Sequence, residues 1–291
     1  MNTHPVSTDN ETLDQALQRN VRDALAEDIG CGDWTAQLVP AGQHGRARVT
    51  VREPAVLCGQ RWFDACVAAL DANAVVTWLA AEGSALTAGQ VVCRIDGDAR
   101  ALLSAERPAL NFLQLLSGVA TQTRHFVDAI SGASPNPRGC AVLDTRKTLP
   151  GLRQAQKYAV RVGGGQNQRM ALWDGILIKE NHVAAAGGIA PALRSAMALN
   201  ANVSVQIEVE SLMELQQALD AGAVSVLLDD FSAADMRNAV ALNRGRALLE
   251  VSGGVDLQAI RAIAETGVDR ISVGKLTKDV RAIDLSMRFE S

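Results

Sequence analysis

Residues 203–230 read VSVQIEVESLMELQQALDAGAVSVLLDD. Two short apolar runs, VSVQIEVE (203–210) and VSVLLDD (224–230), flank an amphipathic helical pattern, SLMELQQALDAG (211–222). Strand, helix and strand in so short a span form a βαβ unit with parallel strands. The same rhythm runs outward on both sides. Apolar runs recur as CAVLDT (140–145), GILIKE (175–180), RALLEVS (246–252) and DRISVG (269–274), with helical patterns SAADMRNAVALN (232–243) and DLQAIRAIAETG (256–267) between the later ones. Six such strands predict a (β/α) barrel, incomplete at this count, with a doubly wound open sheet as the alternative. The strand ends favour the barrel. They carry Asp144-Thr-Arg-Lys, Lys179-Glu-Asn-His, Glu208-Val-Glu, Asp229-Asp, Ser252-Gly-Gly and Gly274-Lys, and barrel sites are assembled at the C-terminal ends of the strands.

Upstream, Leu13, Leu17, Val21, Leu25 and Ile29 stand four apart on one helix face over 12–29, ended by Gly30. RARVTVREPAVLCG (46–59) alternates as a strand does, and WFDACVAAL (62–70) reads as a helix. VVTWLA (75–80), QVVCRI (90–95) and ARALLS (99–104) read as further strands. A small α/β unit is therefore expected in the first hundred or so residues, joined to the rest by a long helix over 107–129 and the loop SGASPNPRG (131–139).

The chain has 291 residues, 48% hydrophobic and 21% charged, with formal net charge −4. That is an ordinary globular balance. The acidity and the 3% aromatic content argue against nucleic acid as a partner. No apolar run reaches the roughly 20 residues that a bilayer requires, and MNTHPVSTDNETLD lacks a signal-peptide pattern. Five scattered cysteines without C-x-x-C spacing point to a reducing, cytoplasmic setting.

Charge is distributed unevenly. Between Asp144 and His182 lie seven basic residues (Arg146, Lys147, Arg153, Lys157, Arg161, Arg169, Lys179) and three acidic ones. Arg153, Lys157 and Arg161, four apart on one helix, read as a solvated stripe. Arg146, Lys147, Arg169 and Lys179 sit at or near strand ends, where several cations imply a substrate with several negative charges. The glycine turns at 252–254 and 273–276 follow the last two strands, where barrels often seat a phosphate. Glu208 and Asp229 end consecutive strands and suit Mg²⁺ bridged to substrate phosphate, whereas Glu210 and Asp230 read as surface residues or supports. No Ser/His/Asp or Cys/His pattern supplies a nucleophile, which leaves charge stabilisation as the source of catalysis; the role of His182 stays open between site and scaffold.

The motifs DTRKTLPGLR, KYAVRVGGG, LIKENH, EVE, LEVSGG and ISVGKLTKDV, with EDIGCGDWT and ERPALNFLQLLSGVAT upstream, resemble those of the decarboxylating quinolinate phosphoribosyltransferases. The resemblance implies an N-terminal α/β sandwich-like domain (1–118), an open (β/α) barrel of seven strands (119–275) and a C-terminal tail (276–291) that returns to the first domain. It implies transfer of phosphoribosyl from phosphoribosyl pyrophosphate to quinolinate with loss of CO₂, giving nicotinate mononucleotide. It also implies a homodimer, sometimes assembled further, with each N-terminal domain capping the partner's barrel. Carried over, Arg146, Lys147, Gln168, Arg169 and Lys179 bind the acid, with Arg107 arriving from the other subunit. Glu208 and Asp229 meet Mg²⁺ and the ribose, and with Lys147 form the catalytic set. Ser252, Gly253, Gly254, Gly274 and Lys275 surround the 5-phosphate. Three positions depart from the family pattern: Gln168 stands where many members have His, Gly254 where Asn is commoner, and Lys275 where a small residue is usual.

Overall fold

The computed structural model describes residues 10–290. Most of the polar start MNTHPVSTDNETLD, and with it the beginning of the expected domain 1–118, lies outside them, as does the final residue of the expected tail 276–291. The strands are β1 (His44–Val51), β2 (Ala55–Val56), β3 (Val75–Trp78), β4 (Ala85–Leu86), β5 (Val91–Asp98), β6 (Ala141–Leu143), β7 (Gly175–Ile178), β8 (Ser204–Val209), β9 (Ser225–Asp229), β10 (Leu248–Ser252), β11 (Arg270–Ser272) and β12 (Leu285–Phe289). The helices are α1 (Leu13–Ile29), α2 (Gln60–Leu70), α3 (Ala99–Ile130), α4 (Arg153–Val162), α5 (Glu180–Ala186), α6 (Ile189–Ala198), α7 (Leu212–Asp220), α8 (Ala233–Asn243), α9 (Ile260–Ala264) and α10 (Lys275–Lys278). No helix among the described residues is long and apolar enough to cross a membrane.

The chain divides into two compact units. The first holds the residues up to Thr121, 149–162 and those from Arg281 on; the second holds 122–148 and 163–280. In the first, an antiparallel sheet runs in the order β12-β1-β5-β3. β1 alternates, with Ala47, Val49 and Val51 at zero exposure, Arg48 outward and Thr50 half-buried between them, as one buried face requires. β12 pairs with β1 along its length, Val49 opposite Met287. α1 starts on a capping box, in which Thr12 and Gln15 satisfy each other's backbone N–H groups. The expected strand 99–104 is the first turns of α3. Asp98 accepts the Ala101 N–H at 3.0 Å, and Ala99, Leu102, Ala105, Ala109, Leu113 and Leu116 are buried at helical spacing. β5 runs to Asp98 and α3 begins at Ala99, so the chain passes from strand to helix with no turn between them. α4 joins this unit through Tyr158, whose hydroxyl donates to Glu82 at 3.0 Å and whose ring lies 5.4 Å from that of Trp62. The expected solvated stripe fails at its centre: Lys157 is completely buried.

In the second unit all pairings are parallel, in the order β6-β11-β10-β9-β8-β7. The first strand lies beside the last. That order belongs to a barrel opened between its first two strands, and a doubly wound sheet does not have it. Six strands form rather than the seven that the resemblance implies. In the gap, Gln166 alone bridges to Leu143, because the stretch after GGG makes no further ladder. Register places Val209, Leu228, Val251, Ile271 and Val142 in one row, each at most 2% exposed, on the face that the helices cover. The intervening residues, among them Gln206, Glu208, Glu250 and Ser272, face the interior. Ser211 and Ser232 cap α7 and α8 by accepting the N–H groups of Glu214 and Asp235.

Candidate active site

The interior face of each strand delivers one polar group to the C-terminal end of the barrel. Asp229, the last residue of β9, is registered beside Ser252 of β10. One pocket at this end, of about 340 Å³, is lined by Lys147, Asp229, Ser252, Gly253, Gly274 and Lys275. Thr145, Asp230, Gly254, Val255, Ser272 and Lys278 complete its wall. Lys278 was missed by the sequence reading, although it stands one helical turn after Lys275 and so shares its face. Three lysines and two glycine turns around a small polar cavity suit a phosphate, which backbone N–H groups and point charges hold together.

The glycines are there for space. Gly253 has φ +107°, and a Cβ on it would run into the Asp230 carboxylate. Asp230, itself at φ +56°, lies under the turn and supports it. A Cβ on Gly274 would stand 3.2 Å from Lys147 Cδ, so the bare backbone leaves Lys147 its path into the pocket. The Thr277 hydroxyl donates to the Lys147 carbonyl at 2.8 Å, and the Lys147 N–H donates to Thr145 Oγ1 at 3.0 Å.

Of the other cations, Lys179 stands just after the C-terminal end of β7 and pairs with Glu208, whereas Arg169 is held at Gly175, the first residue of β7. Arg169 donates from Nη1 to the Gly175 carbonyl at 2.8 Å. Burial, and then the Arg146 guanidinium close by, make its protonated form less favourable than usual. Two guanidinium groups held near each other against their repulsion mark a place for an anion. Lys179 reaches the Glu208 carboxylate at 3.2 Å. Burial raises the Glu208 pKa; Lys179 opposes the rise, while the charges of Asp229 and Glu180 add to it. Glu208 therefore lies within electrostatic reach of Asp229, which lines the phosphate-sized pocket.

Arg107 is exposed, on the stretch of α3 that belongs to the first unit. Gln168 turns its amide inward: Nε2 donates to Gln206 Oε1 at 3.0 Å and to both Glu250 oxygens at 2.9 Å. His182 accepts the Lys179 N–H on Nδ1 at 3.1 Å, and so caps the start of α5. Glu210 donates its N–H to Glu214 at 2.7 Å and lines a second pocket, of about 170 Å³, with Glu180 and Glu208. The sequence reading missed Gln206 and Glu250. The signal available for Glu250 was a lone acid in the middle of the apolar run LLEVS.

Among the described residues no group of three or more His, Cys, Asp or Glu is poised to hold a metal ion. Glu208 and Asp229 are a pair beside a phosphate-sized pocket. Such a pair fits Mg²⁺, which takes one or two carboxylates and completes its shell with phosphate oxygens and water.

Comparison with known proteins agrees along most of the length. The families described as quinolinate phosphoribosyl transferase, N-terminal domain and C-terminal domain match residues 33–117 and 119–288. A nicotinate-nucleotide pyrophosphorylase (carboxylating) of Mycobacterium leprae is 41% identical, over 94% of this chain and 96% of its own. A probable one of Bacillus subtilis is 37% identical, over 93% and 92%. The solved structure of the nicotinate-nucleotide pyrophosphorylase from Francisella tularensis superimposes with a TM-score of 0.91 and 46% identity, over 97% and 98%.

Proposed function

The chain belongs to the quinolinate phosphoribosyltransferase family, and from that premise we propose how its residues divide the work. The enzyme transfers phosphoribosyl from phosphoribosyl pyrophosphate to quinolinate and releases pyrophosphate and CO₂, forming nicotinate mononucleotide for NAD biosynthesis.

Arg146 and Arg169 take the two carboxylates of quinolinate, aided by Lys179. Guanidinium forks grip carboxylates at two points. The anion relieves the desolvation and the repulsion from Arg146 that Arg169 bears, and this observation carries the assignment. The turn Ser252–Gly254 and the start of α10, with Lys275, hold the 5-phosphate, and Lys147 spans from there toward the acid. Glu208 and Asp229 would hold Mg²⁺, which when bound supplies positive charge to the departing pyrophosphate. The pyridine nitrogen gives its lone pair to the anomeric carbon while the carbon–oxygen bond to pyrophosphate breaks and its electrons leave with that group. The ribose is cation-like at this point, and the carboxylates of Glu208 and Asp229 stabilise it. The alkylated ring nitrogen is cationic. It accommodates the electron pair left on the adjacent carbon when the carboxyl departs as CO₂, and a proton then replaces it. Positioning and electrostatics carry the rate. Gln168 acts indirectly, from inside the barrel.

Exposed Arg107 is assigned to the acid site of a partner subunit in a homodimer. The five cysteines, all free thiols, are in keeping with a cytoplasmic enzyme. Mixing the Arg107→Ala and Lys147→Ala proteins tests the shared site. Activity should return toward the quarter or so expected when random exchange regenerates one intact site per mixed dimer. No recovery despite demonstrated subunit exchange would refute it.

A further inference from the structure

Arg169 follows the one place in the barrel order where a strand is missing. Gln166 still pairs there: its N–H donates to the Val142 carbonyl at 2.8 Å, and its carbonyl accepts from Asp144 N–H at 3.1 Å. Beyond it the ladder stops and side chains take over. Asn167 and the Gln168 N–H both donate to the Asp144 carboxylate, the latter at 2.9 Å. The Gln168 amide donates to Glu250, and its carbonyl accepts the Arg169 N–H at 2.7 Å. Glu250 also accepts from Gln206 Nε2 at 3.0 Å and from the Ser272 hydroxyl. Asp144 and Glu250 have no exposure at all.

A buried carboxylate is costly unless donors surround it. Glu250 gathers them from β8, β11 and the segment 166–169. The outer face of these strands is apolar, so a barrel that only had to be filled could carry apolar residues inside as well. Such a network, once satisfied, fixes its members in one arrangement. The member that is not on a strand is Gln168, and the residue that Gln168 holds is Arg169.

We propose that Glu250 is a positioning residue for the acid substrate: through Gln168 it sets the place of the Arg169 backbone, and so the affinity for quinolinate apart from that for phosphoribosyl pyrophosphate. This inference rests on Arg169 as a carboxylate clamp. Ser272, which also lines the phosphate-sized pocket, is left unchanged in the test.

The test is a reciprocal exchange. Glu250→Gln sets an amide against the amides of Gln168 and Gln206, and Gln168→Glu sets a carboxylate against a carboxylate. The double variant restores one amide–carboxylate pair in reverse. Each single variant should raise the KM for quinolinate about tenfold, within the range of coupling seen between residues of one network, and leave the KM for phosphoribosyl pyrophosphate within about twofold. The double variant should return to within about threefold of the native value. Should either single variant fail to fold, Gln168→Met removes the bonds without adding repulsion and should show the same split. Both KM values rising together, a loss of thermal stability without the split, or a double variant no better than the singles would each overturn the inference. Arg169→Ala separates the two levels. If it too leaves the quinolinate KM unchanged, the clamp assignment has failed; if it alone raises that KM, only the role of Glu250 has failed.

Discussion

Replacing Arg169 by alanine removes one of three guanidinium groups assigned to the acid, the others being Arg146 and the partner subunit's Arg107. A charge-assisted bond to a carboxylate contributes about 1.5–3 kcal/mol, and a two-point grip lies at the upper end. Part of that is offset. In the free enzyme Arg169 is partly desolvated and stands near Arg146, so its removal relieves a repulsion that the native enzyme bears before substrate arrives. A net loss of about 2 kcal/mol follows, which is about 30-fold in kcat/KM for quinolinate. Arg169→Lys keeps the charge but loses the fork and should fall between the two, at about fivefold. The assay is initial rate against quinolinate at saturating phosphoribosyl pyrophosphate, then the reverse, with Tm measured because the Gly175 carbonyl also loses its donor. A loss under about threefold, or an equal loss for both substrates, would refute the reasoning.

Two further outcomes test neighbouring groups. Gly253→Ala forces a side chain onto a backbone at φ +107° against Asp230; strain of this kind costs about 1–3 kcal/mol. The KM for phosphoribosyl pyrophosphate should therefore rise about tenfold, and an unchanged value would show that the turn does not seat the phosphate. Burial holds the Glu208 carboxyl above its ordinary pKa of 4.5, so the folded chain keeps that proton more tightly than the unfolded one. The resulting stabilisation is complete below 4.5 and is lost as pH climbs through the raised value. In magnesium-free buffer, Tm of the native protein should fall relative to Glu208→Gln as pH rises from 4.5 through the raised value, and parallel curves would count against a raised Glu208.

The strands of the second unit were legible because each pairs a short apolar run with polar residues at its C-terminal end, a pattern that local composition carries. The same feature located Lys147, Lys179, Glu208, Asp229 and the two glycine turns. What stayed hidden was tertiary. Lys157 sits in a polar helix whose spacing suits solvent, and only the packing around α4 buries it. The strand expected at 99–104 failed because Asp98 caps a helix there, a bond that the short run ARALLS does not announce. The Gln168–Gln206–Glu250 network joins residues far apart in the chain and on strands that are not neighbours, so no local period announces it. The missing seventh strand is the same fact in another form: side chains hold the segment after Gln166 in place of ladder bonds.

The central claim is tested most directly by incubating the purified protein with phosphoribosyl pyrophosphate, Mg²⁺ and quinolinate labelled in the carboxyl next to the ring nitrogen. Labelled CO₂ and pyrophosphate should be released in equal amounts, each dependent on both substrates, with nicotinate a poor replacement. Pyrophosphate release from nicotinate as fast as from quinolinate, or turnover of quinolinate without CO₂, would contradict it.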